Sequence, residues 1–311
     1  MTEYIALVNR LSTGFELLPK DVTFVFCSKK SVKRQKCANN FKTIKNEIKA
    51  SKSVLSFASP VFNAMFTGPL KESSNRIYIT DISKTAFQKL IDVVHLKDVT
   101  FTSIEDALDA YKVGDKYDIP DLCNKINNYL NKRTTADNVC QIHEHSKIYD
   151  ISELRETCRR ILIQDTEKVL KSKSFLNSSI DTLNYIYTLP GLEIESEEIL
   201  CDGLQRYVVH NQLNLKEVRR YLSPCLNSIR FLTLSVENIQ KYDKILNYND
   251  RRLLVSAVSG KPAESSKSLR QFNTSRKQRY VKQVPEIPIC LTNPRYDDDD
   301  ALNKHLYTFY F

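Results

Sequence analysis

Residues 52–72 constrain the fold of this chain more than any other stretch, because they encode two short helices joined by a tight turn. Val54 and Leu55 lie on one face of the first helix. Ser59 can cap the second helix, since its hydroxyl can accept a backbone N–H that has no partner at a helix start. Pro60 then suits the first helical position, where a missing N–H costs nothing.

An apolar stripe marks the second helix. Phe62, Met65 and Phe66 recur at helical spacing, so their side chains must be buried against something larger. Gly68 and Pro69 then end the helix. The stretch therefore predicts a compact helix pair that packs on a larger domain.

The surrounding residues extend this pattern. Residues 21–26, D-V-T-F-V-F, are typical of a strand, and Leu70 and Glu72 form an apolar-x-Glu element after the second helix. The order of strand, helix, S-x-x-F-x-x-M-F and apolar-x-Glu resembles the signature of BTB/POZ domains. BTB domains dimerise, and many of them recruit cullin-3. The resemblance covers residues 1 to about 258 when the helical region described below is included.

The resemblance implies a cullin-3 contact at the end of the second helix. Leu70 would enter a groove of the cullin, and Glu72 would make a charge-assisted hydrogen bond at its rim. The alternative is that Leu70 covers the local core, that Glu72 is a solvated acid and that Tyr117 is a partly buried core tyrosine. The cullin-binding residues that the resemblance implies are Phe62, Met65, Leu70, Glu72 and Tyr117.

The first 20 residues carry four apolar side chains at near-helical spacing and predict an amphipathic helix. This helix either folds onto its own domain or, as the BTB resemblance implies, packs against a second subunit in an isologous dimer. We favour the dimer. By the same resemblance, Asp21 matches a charged position near the dimer groove. The predicted dimer interface comprises Ile5, Val8, Leu11, Phe15 and Asp21.

One family position departs from the usual pattern. Lys52 matches the lysine of a common Ala-His-Lys triplet, but Ser51 stands where that triplet has histidine. This puts in doubt any family function that depends on the imidazole, while the fold should tolerate the change.

Further strands and helices complete an α+β BTB/POZ domain over residues 1–133. Residues 46–50, 76–80 and Val99–Phe101 predict strands. Ser83 and Ser103 are expected to cap the following helices, and Pro120 begins another. Short strands followed by several helices are typical of an α+β domain.

From residue 134 to about residue 234 the strand pattern is lost, and amphipathic helices with short connections follow one another. The segments F-L-x-x-S, S-E-E-I-L-C-D-G-L-Q-R-Y and V-R-R-Y-L-S-P-C-L resemble a BACK domain, which we assign to residues 134–235. A BACK domain usually carries tryptophan where Tyr207 stands, and tyrosine keeps the ring and its apolar burial.

Residues 236–311 are expected to contain a linker helix near residues 246–258 and an otherwise largely irregular tail. The terminal aromatic cluster, residues 306–311, could form a strand. The chain has only six glycines, whereas kelch blades need repeated glycine pairs. About 75 residues remain after the BACK segment, too few for a complete PHR β-sandwich, which is the other common continuation. The resemblance is therefore to a BTB–BACK protein without those domains.

Composition sets the remaining expectations. The net charge of +9 is concentrated in residues 29–45 and 261–282, which we interpret mainly as solvated surface, with nuclear targeting or weak phosphate contact as alternatives. This pattern disfavours nucleic-acid binding, because the basic residues are not interleaved with regularly spaced aromatic side chains. No run of 18 apolar residues occurs, so no membrane span is expected.

The eight cysteines are scattered and the N-terminus does not resemble a secretory signal, so we expect reduced thiols in the cytoplasm or, alternatively, the nucleus. Cys140, His143 and His145 could suggest zinc, but no second ligand pair lies at a usual spacing, and we favour ordinary helix residues. Neither a catalytic set nor a phosphate loop occurs, so we assign no enzyme activity and no cofactor.

These observations lead to one functional hypothesis and two rivals. We expect a non-catalytic homodimeric adaptor that links an unidentified substrate protein to a cullin-3 RING ubiquitin ligase. The first rival is a dimeric scaffold or transcriptional co-factor that does not bind cullin. The second is a tetrameric assembly of the potassium-channel type, which the long helical BACK-like segment disfavours.

Overall fold

The structure is a computed structural model, and it describes residues 2–27, 46–260, 269, 271–277 and 279. The first basic stretch, most of the irregular tail and the terminal aromatic cluster lie outside these residues. The predictions for those three segments therefore stay predictions.

A small sheet forms the base of the N-terminal part. Its strands are β1 (Val22–Phe26), β2 (Glu47–Ala50) and β3 (Arg76–Ile79), in the order β2-β1-β3. β2 pairs with β1 antiparallel, with Phe24 opposite Ile48, and β3 pairs with β1 parallel. Alternate residues of β1 are buried, because successive side chains of a strand point to opposite faces. The three predicted strands in this region are confirmed.

Helices pack around this sheet, and several begin where the sequence predicts. Ser83 accepts a hydrogen bond from the backbone N–H of Ala86, and Ser103 accepts one from Asp106. Each serine satisfies a backbone donor that the helix leaves free. The helices of the N-terminal part are α1 (Thr2–Leu17), α2 (Lys52–Ala58), α3 (Pro60–Thr67), α4 (Lys84–Val94), α5 (Ile104–Lys116) and α6 (Pro120–Arg133).

The predicted strand at Val99–Phe101 is wrong. These residues are irregular, and the Phe101 ring packs against Tyr129 of α6 with ring centroids 5.1 Å apart. A β-branched and aromatic run favours a strand only when a neighbouring strand is present to pair with it. Here the aromatic side chain packs on a helix instead.

The following part contains helices and irregular connections but no strand among its described residues, and the linker helix predicted near residues 246–258 is confirmed. Its elements are α7 (Val139–Ile148), α8 (Ser152–Gln164), α9 (Thr166–Lys171), α10 (Lys173–Leu176), α11 (Ile180–Thr188), α12 (Glu197–His210), α13 (Leu215–Tyr221), α14 (Ser223–Ser228), a 3₁₀ turn (Phe231–Thr233), α15 (Val236–Lys241) and α16 (Tyr248–Val258).

One continuous hydrophobic core runs through both parts, and the described residues form a single compact unit. At the junction, the Tyr111 ring of α5 meets the His145 ring of α7 edge-on, with centroids 4.5 Å apart. Nearby, the Asn131 side-chain amide of α6 donates a hydrogen bond to the Glu153 carboxylate of α8 over 3.1 Å. These contacts therefore fix the position of the helical array relative to the N-terminal part.

Candidate partner-binding surfaces

Ser59 fixes the start of α3 on the rest of the domain. Its hydroxyl oxygen accepts a hydrogen bond from the backbone N–H of Phe62 over 3.1 Å, and the hydroxyl donates to the carbonyl oxygen of Tyr117 over 2.5 Å. The Ser59 side chain thus caps α3 and also connects the beginning of α3 to the end of α5. This connection positions both the buried and the exposed faces of α3.

Phe62 lies at the centre of an aromatic cluster. Its ring stacks on Tyr117 with centroids 4.4 Å apart and on Phe66 at 5.9 Å, while Phe24 and Phe87 meet it edge-on. Phe62 is fully buried and Tyr117 is only 3% exposed. Burial, with a smaller effect of the Asp81 charge, raises the pKa of Tyr117 to about 12.

These positions correct part of the sequence interpretation. Phe62 and Tyr117 were both predicted to contact cullin, yet their rings are core elements with almost no surface for a partner. For Tyr117, the alternative of a core tyrosine matches the structure. A helical stripe does not reveal from spacing alone which of its members face the interior, and here the two rings support α3 from within.

The predicted contact residues that remain lie at the C-terminal end of α3. Met65 is half-buried against the core, whereas Leu70 is 96% exposed and Glu72 is also exposed. The backbone N–H of Glu72 donates to the Met65 carbonyl oxygen over 2.9 Å. A side chain on Gly68 would collide with the carbonyl oxygen of Ala64, so glycine permits this tight turn. Leu70 and Glu72 are therefore exposed on a turn that is stabilised by a backbone hydrogen bond within the turn.

Helix α1 covers one side of the domain incompletely. Phe15 is half-buried and meets the His95 ring edge-on at 6.3 Å, and Glu16 pairs with Lys97 over 2.5 Å. Ile5 remains 52% exposed and Leu11 44% exposed. Val8 is half-buried. The residues predicted for a dimer interface are thus divided between contact with their own domain and an exposed apolar strip.

An apolar groove lies beside this strip. It has a volume of about 450 Å³ and separates α1 from α2, the end of α4 and the start of α6. Phe57 of α2 lines it and is almost fully exposed. Exposed apolar surface rimmed by polar groups is typical of a protein–protein contact. The groove lining comprises Leu11, Phe15, Leu18, Ser53, Val54, Phe57, Ala58, Val93, Val94, Leu96, Ile119, Pro120 and Asp121.

Asp21 has a clear role within the chain. Its carboxylate accepts a hydrogen bond of 2.8 Å from the backbone N–H of Lys52, the first residue of α2. The Lys52 ammonium in turn donates to the side-chain oxygen of Asn75 over 2.7 Å and lies 5.6 Å from the centre of the Phe66 ring. Ser51, in the place of the family histidine, is buried. Asp21 therefore caps a helix whether or not it also faces a partner.

Comparison with known proteins identifies both regions. Residues 36–134 match the family model of the BTB/POZ domain, and residues 139–243 match that of BACK, "BTB And C-terminal Kelch". The chain contains a BTB/POZ domain followed by a BACK domain. No kelch model matches it. The two domains correspond to the α+β part and the helical array of the structure.

The relatives carry BTB/POZ names. Human BTB/POZ domain-containing protein 3 is 26% identical over 192 residues, which cover 60% of this chain and 37% of that protein. BTB/POZ domain-containing protein 6 is 29% identical in human, covering 61% of this chain and 36% of the relative, and 27% identical in Xenopus laevis, covering 61% and 37%. The matched part thus spans little more than a third of each relative.

The candidate zinc ligands of the BACK domain are packed as ordinary helix residues. The His143 ring stacks on Tyr185 at 4.5 Å, and His145 lies between Tyr111 and Tyr149. Burial is the main cause that lowers the pKa of both histidines, to about 4 for His145. Within the described ranges, no group of three or more His, Cys, Asp or Glu side chains could hold a metal ion.

The described cysteines are free thiols, and most of them are buried. Burial raises the pKa of Cys140 and Cys158 to about 12, so these thiols stay protonated and unreactive near neutral pH. In the part of the chain that the structure covers, no helix is long and apolar enough to cross a membrane.

The sequence interpretation missed one contact of the BACK domain. The second basic stretch was expected to be solvated, but Arg279 is largely buried and pairs with the buried Glu197 over 2.7 Å. Phe272, in the segment expected to be irregular, is buried as well. The only sequence pattern that could have indicated this contact is an aromatic residue followed by arginines. It was missed because Glu197, the partner of Arg279, lies far away in the sequence.

Proposed function

We propose that this chain is a non-catalytic homodimeric adaptor that links a target protein to a cullin-3 RING ubiquitin ligase. Proteins with BTB and BACK domains are generally cullin-3 adaptors and typically lack enzyme activity of their own. The observation that carries the proposal is the turn after α3, where the side chains of Leu70 and Glu72 are exposed and a backbone hydrogen bond stabilises the turn.

Leu70 and Glu72 supply complementary parts of a contact. A nearly fully exposed leucine is costly to leave in water and gains free energy when a partner covers it. A carboxylate beside it can accept charge-assisted hydrogen bonds at the rim, which contribute to partner choice as well as to affinity. The aromatic cluster beneath α3 holds the turn in position, so little conformational entropy is lost on binding.

The exposed strip of α1 supports the dimeric form. Leu11 lines the apolar groove and Ile5 is exposed on the same helix, and a second copy of the same surface would cover both in an isologous contact. In a dimer, the turns after α3 of the two subunits would each be available to one cullin. Ubiquitin transfer itself would then occur on other subunits of the ligase.

Binding to the N-terminal domain of cullin-3 tests the proposal. We expect the double variant Leu70→Ala/Glu72→Ala to lose at least about 2 kcal/mol of binding free energy, roughly thirtyfold in affinity. Calorimetric titration of the parent chain and the variant measures this difference. Tyr248→Ala is a matched control, because Tyr248 is a similarly exposed residue at the start of α16, the helix that follows the BACK domain.

The alternative function is a scaffold or transcriptional co-factor that does not bind cullin. Two features favour it: Phe62 and Tyr117 have almost no exposed surface for a cullin contact, and Ser51 replaces the family histidine. A folded dimer that gives no heat with cullin-3 would support this alternative and contradict the adaptor. Nuclear localisation of the tagged chain, unaffected by Leu70→Ala/Glu72→Ala, would support it further.

A further inference from the structure

The segment after α16 packs on the BACK domain although it is irregular. We call residues 271–277 and 279 of this segment the strap. Phe272 is its first anchor and is only 5% exposed. The edge of its ring meets Phe231 at 5.6 Å, and the guanidinium of Arg219 lies 5.1 Å from the ring centre. The aromatic side chain is therefore held by both apolar and cation–π contacts.

Arg279 is the second anchor. Its Nε donates to one carboxylate oxygen of Glu197 over 2.7 Å, and its Nη2 donates to the Ser228 carbonyl oxygen over 2.9 Å. The Glu197 side chain is 2% exposed and that of Arg279 is 11% exposed. The backbone N–H of Arg230 donates to the other oxygen of Glu197 over 3.0 Å. Both oxygens of the buried carboxylate thus accept hydrogen bonds. These bonds offset the free-energy cost of removing the charge from water.

Side chains make the remaining connections between strap and domain. Arg230 donates to the Lys277 carbonyl oxygen over 2.9 Å, and Arg276 donates to the Ala257 carbonyl oxygen over 2.9 Å. Among the described residues, every hydrogen bond that joins the strap to the domain involves a side chain, and none belongs to a sheet or helix ladder. The strap is held in the manner of a bound peptide.

The charges of the two surfaces are complementary. Residues 193–198 read E-I-E-S-E-E and lead into α12, whereas residues 276–279 of the strap region read R-K-Q-R. Opposite charges of this kind favour association and select against partners of the wrong sign. Because Glu197 is buried, any segment that covers it must supply a cation, and the planar guanidinium of arginine suits a carboxylate best.

We propose that this face of the BACK domain is an exchangeable peptide-binding site. The strap occupies it within the chain, and a basic segment of a partner protein, with an aromatic residue followed seven positions later by arginine, takes its place. Release of the strap breaks the contacts of Phe272 and Arg279 but no strand pairing or helix ladder, so local opening should cost less than unfolding of the whole domain. The inference does not depend on cullin binding.

Peptide binding to the full chain tests this site. The probe is a fluorescent peptide with the sequence of residues 269–280, and the key protein is the double variant Phe272→Ala/Arg279→Gln, which removes both anchors. We expect the peptide to bind this variant at least tenfold more tightly than the parent chain. In the parent, the tethered strap competes at an effective concentration of about 1 mM. A control peptide with the same two substitutions should bind neither protein.

A third protein makes the test specific for the buried carboxylate. Adding Glu197→Gln to the double variant keeps the shape of the site and removes its charge, so peptide affinity should fall at least tenfold. Equal peptide affinity for parent and double variant, absence of binding to a folded double variant, or indifference to Glu197→Gln would each overturn the proposal. Fluorescence anisotropy measures all three affinities.

A further variant covers the case in which the double variant does not fold. Phe272→Ala alone leaves the buried ion pair in place, and it should still bind the peptide severalfold more tightly than the parent chain. If this single variant also fails to fold, the strap is an integral part of the domain and cannot be exchanged, which would overturn the proposal.

Discussion

Helix α1 and the strap both pack on the outside of a domain, but only the strap inserts a side chain, Phe272, into the hydrophobic core. In α1, Ile5 and Leu11 stay substantially exposed and the contacts to its own domain are few. In the strap, Phe272 and Arg279 are buried and each has specific partners. The buried side chains of the strap find all their partners within one chain, whereas α1 leaves apolar surface that a second subunit would cover.

The two segments differ in whether their contacts are complete within one chain. An exposed apolar strip beside an apolar groove indicates a missing partner, because such patches are uncommon on monomers unless they are functional. A buried ion pair indicates a completed contact, because an unpaired buried charge would be costly. Contacts completed within one chain should not depend on protein concentration, while those of α1 should.

The largest effect is expected from the buried ion pair of the strap. Arg279→Ala leaves the Glu197 carboxylate buried without its cation and should lower the free energy of unfolding by about 3 kcal/mol. Urea unfolding measures the change. Lys168→Ala is the control, since the pair of Lys168 with Asp165 is exposed, and its unfolding midpoint should not shift measurably. Equal midpoints for the two variants would show that the strap adds no stability.

A charge in the exposed strip of α1 should weaken the dimer. Leu11→Asp places a carboxylate in the apolar contact and should raise the dimer dissociation constant at least about thirtyfold, or about 2 kcal/mol. Light scattering over a dilution series measures the mass. Asn9→Asp introduces the same charge change at an exposed polar position of α1 and should leave the mass unchanged. If Leu11→Asp keeps the parent's mass at every concentration, the strip is not the interface.

The junction of the BTB and BACK domains offers a pH test of a completed contact. Burial lowers the pKa of His145 to about 4, below its ordinary value near 6.5, so the folded state prefers the neutral ring. The stability that this histidine contributes is present above about pH 6.5 and is lost as the pH falls toward 4. His145→Phe keeps a ring against Tyr111 and should reduce the loss of stability between pH 7 and pH 5 by about 2 kcal/mol.

Urea unfolding at the two pH values measures this difference. His143 also has a lowered pKa, so the pH dependence should decrease rather than vanish. The effect should be the same at low and high protein concentration, because the junction is complete within one chain. An identical pH dependence in the parent and in His145→Phe would contradict the assignment.

The smallest effect is expected at Asp21, where two roles can be separated. Asp21→Ala removes the acceptor for the Lys52 backbone N–H and should cost about 1 kcal/mol of stability. Asp21→Asn keeps an acceptor and should cost less. If Asp21 acts only as a cap, both variants keep the parent's mass in solution. A lower mass for both would show that its charge also contributes to the dimer.

Local patterns predicted most of the fold. Ser59, Ser83 and Ser103 mark helix starts because a serine cap acts within three residues of its partner, a range that the sequence displays directly. Helical periodicity located the BACK helices for the same reason. The strand expected at Val99–Phe101 failed because strand formation depends on a neighbour that local sequence does not specify.

The candidate sites were predicted less completely, because they depend on distant contacts. The apolar stripe of α3 indicated burial, but only the stacking of Phe62 on Tyr117 shows that both rings face inward. Glu197 and Arg279 are separated by 82 residues, so neither signals the other in the sequence. The exposure of Leu70 and Glu72 agrees with their expected position at the end of α3, and their role in binding stays a prediction.

The most direct test of the central proposal is the mass of the complex with the N-terminal domain of cullin-3, measured by light scattering during gel filtration. A dimeric adaptor should elute as two chains with two cullin fragments, and Leu70→Ala/Glu72→Ala should elute as two chains alone. A folded parent chain that elutes without cullin, or one that binds a single cullin as a monomer, would contradict the account.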